Sequence, residues 1–207
     1  MTDFQANRNL AEDGIVGPEV VTELHLVTRG EMREGRQAIR EREWLRMLPA
    51  TVAGARIFLD AECRDTDEAR DAWDAASAAA LAIQEAGGVP MMSRSGDVTL
   101  PERVRARRAN RLGSDVIVTF RLNRNGEDKV FYFASEHSSS EAGELLAKAI
   151  ATSVGASVEG RAGAMLKETR APAAVVALRS LDEKSGLAVA EGLSQFFALN
   201  CGQEMIR

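Results

Sequence analysis

Apolar positions along this chain switch between two periods, and the switching lays out a series of elements. The run from Arg56 to Asp60 is nearly continuous in apolar residues and predicts a buried strand. Residues 65–86 then repeat at helical spacing, with Ala72, Trp73, Ala76, Ala80 and Ile83 on one face. Val89 to Arg94 predicts a second strand, in which Pro90 suits an edge or a bulge because it cannot donate to a ladder. Thr99 and Glu102 have the spacing of a capping box opening a helix that runs to about Gly113. Asp115 to Leu122 is the most β-branched run and predicts the central strand. A strand over 128–134 follows an Asn125-Gly126 turn, and Ser138 to Glu141 cap a helix carrying Leu145, Leu146, Ala149 and Ile150. Ala173 to Leu178 predicts the last strand and Asp182 to Leu199 the last helix. Strands alternating with helices of this length predict an α/β fold, a mostly parallel central sheet flanked by helices.

Ahead of these elements the pattern is different. Residues 27–54 are rich in Arg and Glu and read as a charged connector, with Trp44, Leu45 and Met47 as docking points on an apolar edge. Residues 1–26 form a short helical appendage. Its Phe4-Gln5 pair and its Asp13, Gly14, Gly17 and Pro18 resemble the closing part of a small helical peptidoglycan-binding repeat. The expected division is therefore 1–26, a remnant of such a repeat, 27–54, the connector, and 55–200, the α/β domain.

Composition narrows the class. With 207 residues, 45% apolar and 28% charged, the chain can build one domain with a full core. No apolar run approaches the roughly 18 to 20 residues of a membrane span, and the N-terminus carries no signal-peptide block, which predicts a cytoplasmic protein with no membrane partner. Cys63 and Cys201 lie far apart and read as reduced thiols. The 26 basic and 31 acidic residues argue against a nucleic-acid binder. The basic stretch Arg103 to Arg111 reads as a solvated helix face.

Several short motifs occur in a telling order from Ala55 onward: the strand closing in Asp60, the strand closing in Ser93-Arg94, Glu102-Arg103-Val104 with Ala109-Asn110 and Ser114-Asp115, and Arg170-Ala171-Pro172-Ala173. Together they resemble the zinc-dependent N-acetylmuramoyl-L-alanine amidase family. The connector over Gln37 to Glu43 and the turn over Ser135 to Ser139 are similar to its degenerate, actinobacterial CwlM-type subgroup. That likeness implies a phosphorylation-dependent cytoplasmic regulator of peptidoglycan precursor synthesis, with the enolpyruvyl transferase of that pathway as its protein partner.

Active members of the family hold zinc with two histidines and a glutamate, and use a further glutamate as general base. By that resemblance Cys63 falls at the first histidine, Arg121 at the second, Ala177 at the general base and Glu68 at the metal-binding glutamate. A guanidinium is always charged and only donates, so it cannot coordinate a cation. Unit charges about 4 Å apart repel by roughly 4 kcal/mol at an effective dielectric of 20. The expectation is a degenerate site without metal, cofactor or amidase chemistry: a pseudo-amidase. Two arrangements fit Arg121 and Glu68. In one they pair as a salt bridge in the metal's former place; in the other Glu68 completes a capping box with Asp65 while Arg121 faces solvent. A groove floored by Arg121 also suits a muropeptide carboxylate or an anionic precursor, with Glu68 and Arg121 as its ligand-binding residues. The only histidines, His25 and His137, lie just before the connector and in a loop, which argues against a two-histidine metal site. The rival readings are a zinc amidase with ligands from other positions and a muropeptide-binding module that does not cut.

Overall fold

A computed structural model describes Thr2, Gln5, residues 14–21, Leu24 and residues 39–202. It divides into two compact units, Met1–Arg40 and Glu41–Arg207. In the first, the Gln5 side chain is buried, donating to the Ile15 carbonyl at 3.1 Å and accepting from the Gly14 amide at 2.8 Å. His25 lies outside the described residues.

The second unit runs β1 (Arg56–Ala61), α1 (Thr66–Glu85), β2 (Val89–Met92), α2 (Glu102–Leu112), β3 (Val116–Leu122), β4 (Lys129–Phe133), α3 (Glu141–Val154), β5 (Ser157–Arg161), α4 (Ala164–Lys167), β6 (Ala173–Leu178) and α5 (Glu183–Gly202). Six strands form one sheet in the order β2-β1-β3-β6-β4-β5. All pairs are parallel except β4 with β6. Helices α1, α3 and α5 cover one face and α2 and α4 the other, each over its own apolar core. Alternation along a strand sends Leu59 and Val118 to the first core and Phe58 and Ile117 to the second.

Small residues set the packing on the first face. A Cβ on Gly186 of α5 would collide with the Ala75 carbonyl of α1, and one on Gly192 would lie 2.6 Å from the Ile150 Cα of α3. Helix α1 is correspondingly alanine-rich, since close backbone approach needs small side chains on both partners.

Three expectations are corrected, and two elements had not been expected. Strand β2 ends at Met92 and lies at the sheet edge, where the missing amide of Pro90 is harmless. The capping box at Thr99 and Glu102 does not form: Pro101 is the N-cap without a side-chain bond, the Thr99 hydroxyl lies 3.8 Å from the Cys63 thiol, and Glu102 is drawn to Arg121 and the Ala164 amide. Strand β5 and helix α4 were not legible, because Ser157–Arg161 carries one apolar residue and is exposed along most of its length. In the connector, Trp44 docks by donating to the Asp115 carbonyl at 3.1 Å and Leu45 packs on the core, but Met47 is exposed. No helix among the described residues is long and apolar enough to cross a membrane.

Candidate functional site

Parallel strands bring the ends of β1, β3 and β6 together, as is usual for sites of open α/β sheets. Asp60 stands opposite Thr119, and Arg121 stands opposite Ala177. The residues of this edge that share the α2 face are Asp60 and Glu62 from the end of β1, Thr119 and Arg121 from β3, and Ala177 from β6.

Two arginines hydrogen-bond these acids into one network, and a third, Arg64, lies 3.8 Å from Glu62. Arg105 of α2 donates to the buried Asp60 carboxylate and, at 2.9 Å, to Glu62 Oε1; its Nε reaches the Leu100 carbonyl at 3.1 Å. Arg121 donates through Nε to Glu62 Oε2, and through Nη2 to Glu62 Oε1 at 3.1 Å and Glu102 Oε1 at 2.7 Å. Glu102 Oε2 accepts the Ala164 amide at 3.0 Å, joining the start of α2 to that of α4. Asp60 also accepts from the Thr119 hydroxyl at 3.0 Å, and the buried Ser93 hydroxyl lies by the same carboxyl.

Burial and charge pull the titrations apart. Burial pushes the Asp60 carboxyl up, and Arg105 offsets this only in part. Burial also acts to raise Glu62, but hydrogen bonds and charge from Arg121 and Arg105 prevail and hold it below the ordinary value. Burial alone would lower the Arg121 guanidinium; Glu62 and Glu102 reverse that and raise it. Arg121 is therefore a permanently charged centre held by two carboxylates.

Glu68 lies elsewhere in this arrangement. Fully buried on α1, it accepts the Arg64 amide at 2.8 Å, a bidentate Arg64 guanidinium and the Leu122 amide at 3.2 Å. The expected Arg121–Glu68 salt bridge is corrected: Arg121 takes Glu62 and Glu102, and Arg64 takes Glu68. The alternative is half met, since Asp65 is the N-cap of α1 and accepts the Glu68 amide at 2.8 Å, but Arg121 is largely buried. Cys63 is half-buried, and His137 is exposed in its loop.

The donor set does not fit a zinc ion. Glu68 spends its oxygens on Arg64 and Leu122, Ala177 offers none, and a guanidinium occupies the end of β3. Among the described residues no group of three His, Cys, Asp or Glu is placed to hold a metal.

Reading the sequence missed Asp60, Glu62, Glu102 and Arg105. The signals were present: Asp60 and Glu62 alternate onto one face at the end of an apolar strand, and Arg105 adjoins Ala106 and Ala109, which face the core. The solvated-face reading of Arg103 to Arg111 fails at Arg105, which is 6% exposed.

No protein-family model matches the chain. It is 29% identical over 199 residues to the N-acetylmuramoyl-L-alanine amidase CwlM of Mycobacterium tuberculosis, a match covering 83% of this chain and 49% of that protein. The chain thus spans about half the length of this curated relative. The fold is similar to the N-acetylmuramyl-L-alanine amidase Ami1 of Mycobacterium smegmatis, with TM-score 0.61 and 19% identity over 72% of this chain and 99% of that one. Ami1 of Mycobacterium abscessus gives 0.59 and 16%, over 70% and 99%. At these identities the structural matches speak for the fold alone.

Proposed function

We propose, from the premise that this chain is a CwlM-type member of the N-acetylmuramoyl-L-alanine amidase family, that it is a pseudoenzyme: a cytoplasmic regulator or interaction module of peptidoglycan precursor synthesis. One observation carries the reading. At the end of β3, where the family resemblance places a zinc-binding histidine, Arg121 is held by Glu62 and Glu102, opposite Ala177 at the position of the general base. Amidase chemistry of the family's kind needs a metal with one open position and a base beside it. Here a fixed cation stands in that place and a methyl group faces it.

What remains is a rigid α/β scaffold with a closed ionic lattice at the sheet edge, which suits recognition more than turnover. The partner is a protein, and by likeness to the CwlM-type subgroup it is the enolpyruvyl transferase that begins precursor synthesis. Calorimetric titration of the metal-stripped protein with zinc is expected to give no saturable heat, and incubation with muropeptides no cleavage. Tight one-to-one zinc binding together with cleavage would overturn the reading. Direct binding of the purified transferase, with a change in its rate, is the positive test; a transferase unaffected by the full chain while muropeptide binds uncut would assign the fold to muropeptide recognition instead.

A further inference from the structure

A pocket of about 160 Å³ opens on the α2 face of the sheet, lined by Arg121, Glu102, Arg161, Phe131, Val175 and the α4 residues Met165 and Leu166. Its polar groups are unequally satisfied. Both Glu102 oxygens are engaged, by Arg121 and by the Ala164 amide. Arg121 uses Nε and Nη2 on carboxylates, and among the described residues its Nη1 has no acceptor. Arg161, at the end of β5, lies with its guanidinium 5.3 Å from the centre of the Phe131 ring and forms no ion pair among the described residues. A guanidinium stacked on an aromatic face is pre-positioned, with its donor edge free. The pocket therefore offers donors without acceptors above an apolar floor of Phe131, Val175, Met165 and Leu166.

We propose that this pocket binds a small carboxylate with a short apolar body, the carboxylate bridging Arg161 and Arg121 and the body resting on that floor. Two planar oxygens match guanidinium donors. The charge of Glu102 on the wall disfavours a dianion more than a monoanion, so a carboxylate suits the pocket better than a phosphate. The inference goes beyond the pseudoenzyme reading and does not depend on it, since no bond is made or broken.

The test is titration of the full chain with sodium butyrate at constant ionic strength, following the backbone amides of Arg161, Ala162 and Gly163 by NMR. Saturable shifts at these amides are expected, with butyramide binding at least about tenfold more weakly, because it lacks the charge that strengthens each hydrogen bond. Arg161→Gln, at an exposed position where folding is not at stake, is expected to weaken butyrate by roughly ten- to a hundredfold, with Arg161→Lys in between. Equal binding of butyrate and butyramide, shifts confined to other regions, or an Arg161→Gln variant that binds as the parent does would overturn the proposal. Tighter binding of inorganic phosphate than of butyrate would overturn the assignment of a carboxylate.

Discussion

Removing Arg121 tests whether the lattice at the sheet edge holds the fold together. The side chains of Arg121 and Glu62 are 15% and 5% exposed, so the pair is only weakly screened by water. Breaking a buried pair by deleting one partner costs about 3–5 kcal/mol, because the other charge is left without compensation. Here Glu62 keeps Arg105 at 2.9 Å, and Glu102, one-third exposed, can turn to solvent. Arg121→Met should therefore cost about 3 kcal/mol, the lower end of that range. Glu62→Met should cost a similar amount, by leaving three guanidiniums, Arg64, Arg105 and Arg121, with one carboxylate each. The double variant should be less destabilised than the sum by about 1–3 kcal/mol, since it removes both charges and leaves apolar groups in their place. Urea unfolding at pH 7, followed by circular dichroism with m-values compared across the cycle, measures all four states. A cost below about 1 kcal/mol for Arg121→Met, the scale of an exposed pair, or strict additivity of the two substitutions, would refute the reasoning.

Three further outcomes follow from the geometry. Glu62 titrates below its ordinary value of 4.5 in the folded protein, so the stability it contributes is present above that value and is lost as pH falls through the folded one; in Arg121→Met that loss should begin at higher pH, as acid unfolding curves would show. Glu68→Leu leaves the Arg64 and Leu122 amides without their acceptor, while the Arg64 guanidinium keeps the Leu122 carbonyl and Glu62, and should cost about 2 kcal/mol, read as a lower urea midpoint with an unchanged m-value. Gly186→Ala drives a methyl group into the Ala75 carbonyl between α5 and α1 and should cost about 1–3 kcal/mol, read as a fall in melting temperature.

The α/β order was legible because its strongest elements carry their own period. Val116–Leu122 is β-branched and buried on both faces, and Thr66–Glu85 repeats alanines at helical spacing. Strand β5 was illegible because an exposed edge strand needs no apolar alternation; Ser157–Arg161 is held by backbone pairing to β4. The site was legible in its positions and illegible in its pairings. Arg121 could be placed at the end of a central strand from sequence, but its partners come from β1 and from the start of α2, 59 and 19 residues away. Glu68 was the nearer guess only because a helix-start glutamate is easy to see, and Arg64, four residues before it, claims it locally. Ion pairing across a sheet depends on which face each residue occupies, and a one-residue change of register exchanges the faces.

The balance of charge at the sheet edge explains why the lattice is closed. Asp60, Glu62, Glu68 and Glu102 meet three guanidiniums, Arg64, Arg105 and Arg121, which leaves one carboxylate in excess. The excess falls on Asp60, the most buried of the four, whose carboxyl is pushed up by burial. Replacing Arg121 with a neutral residue would leave four acids and two guanidiniums, a state relieved by taking up protons or cations or by Glu102 turning to solvent. Arg121 thus has a structural role of its own. It satisfies acids that the rest of the fold already places there, and the tighter it does so, the less room remains at this edge for the open coordination position that hydrolysis on a metal requires.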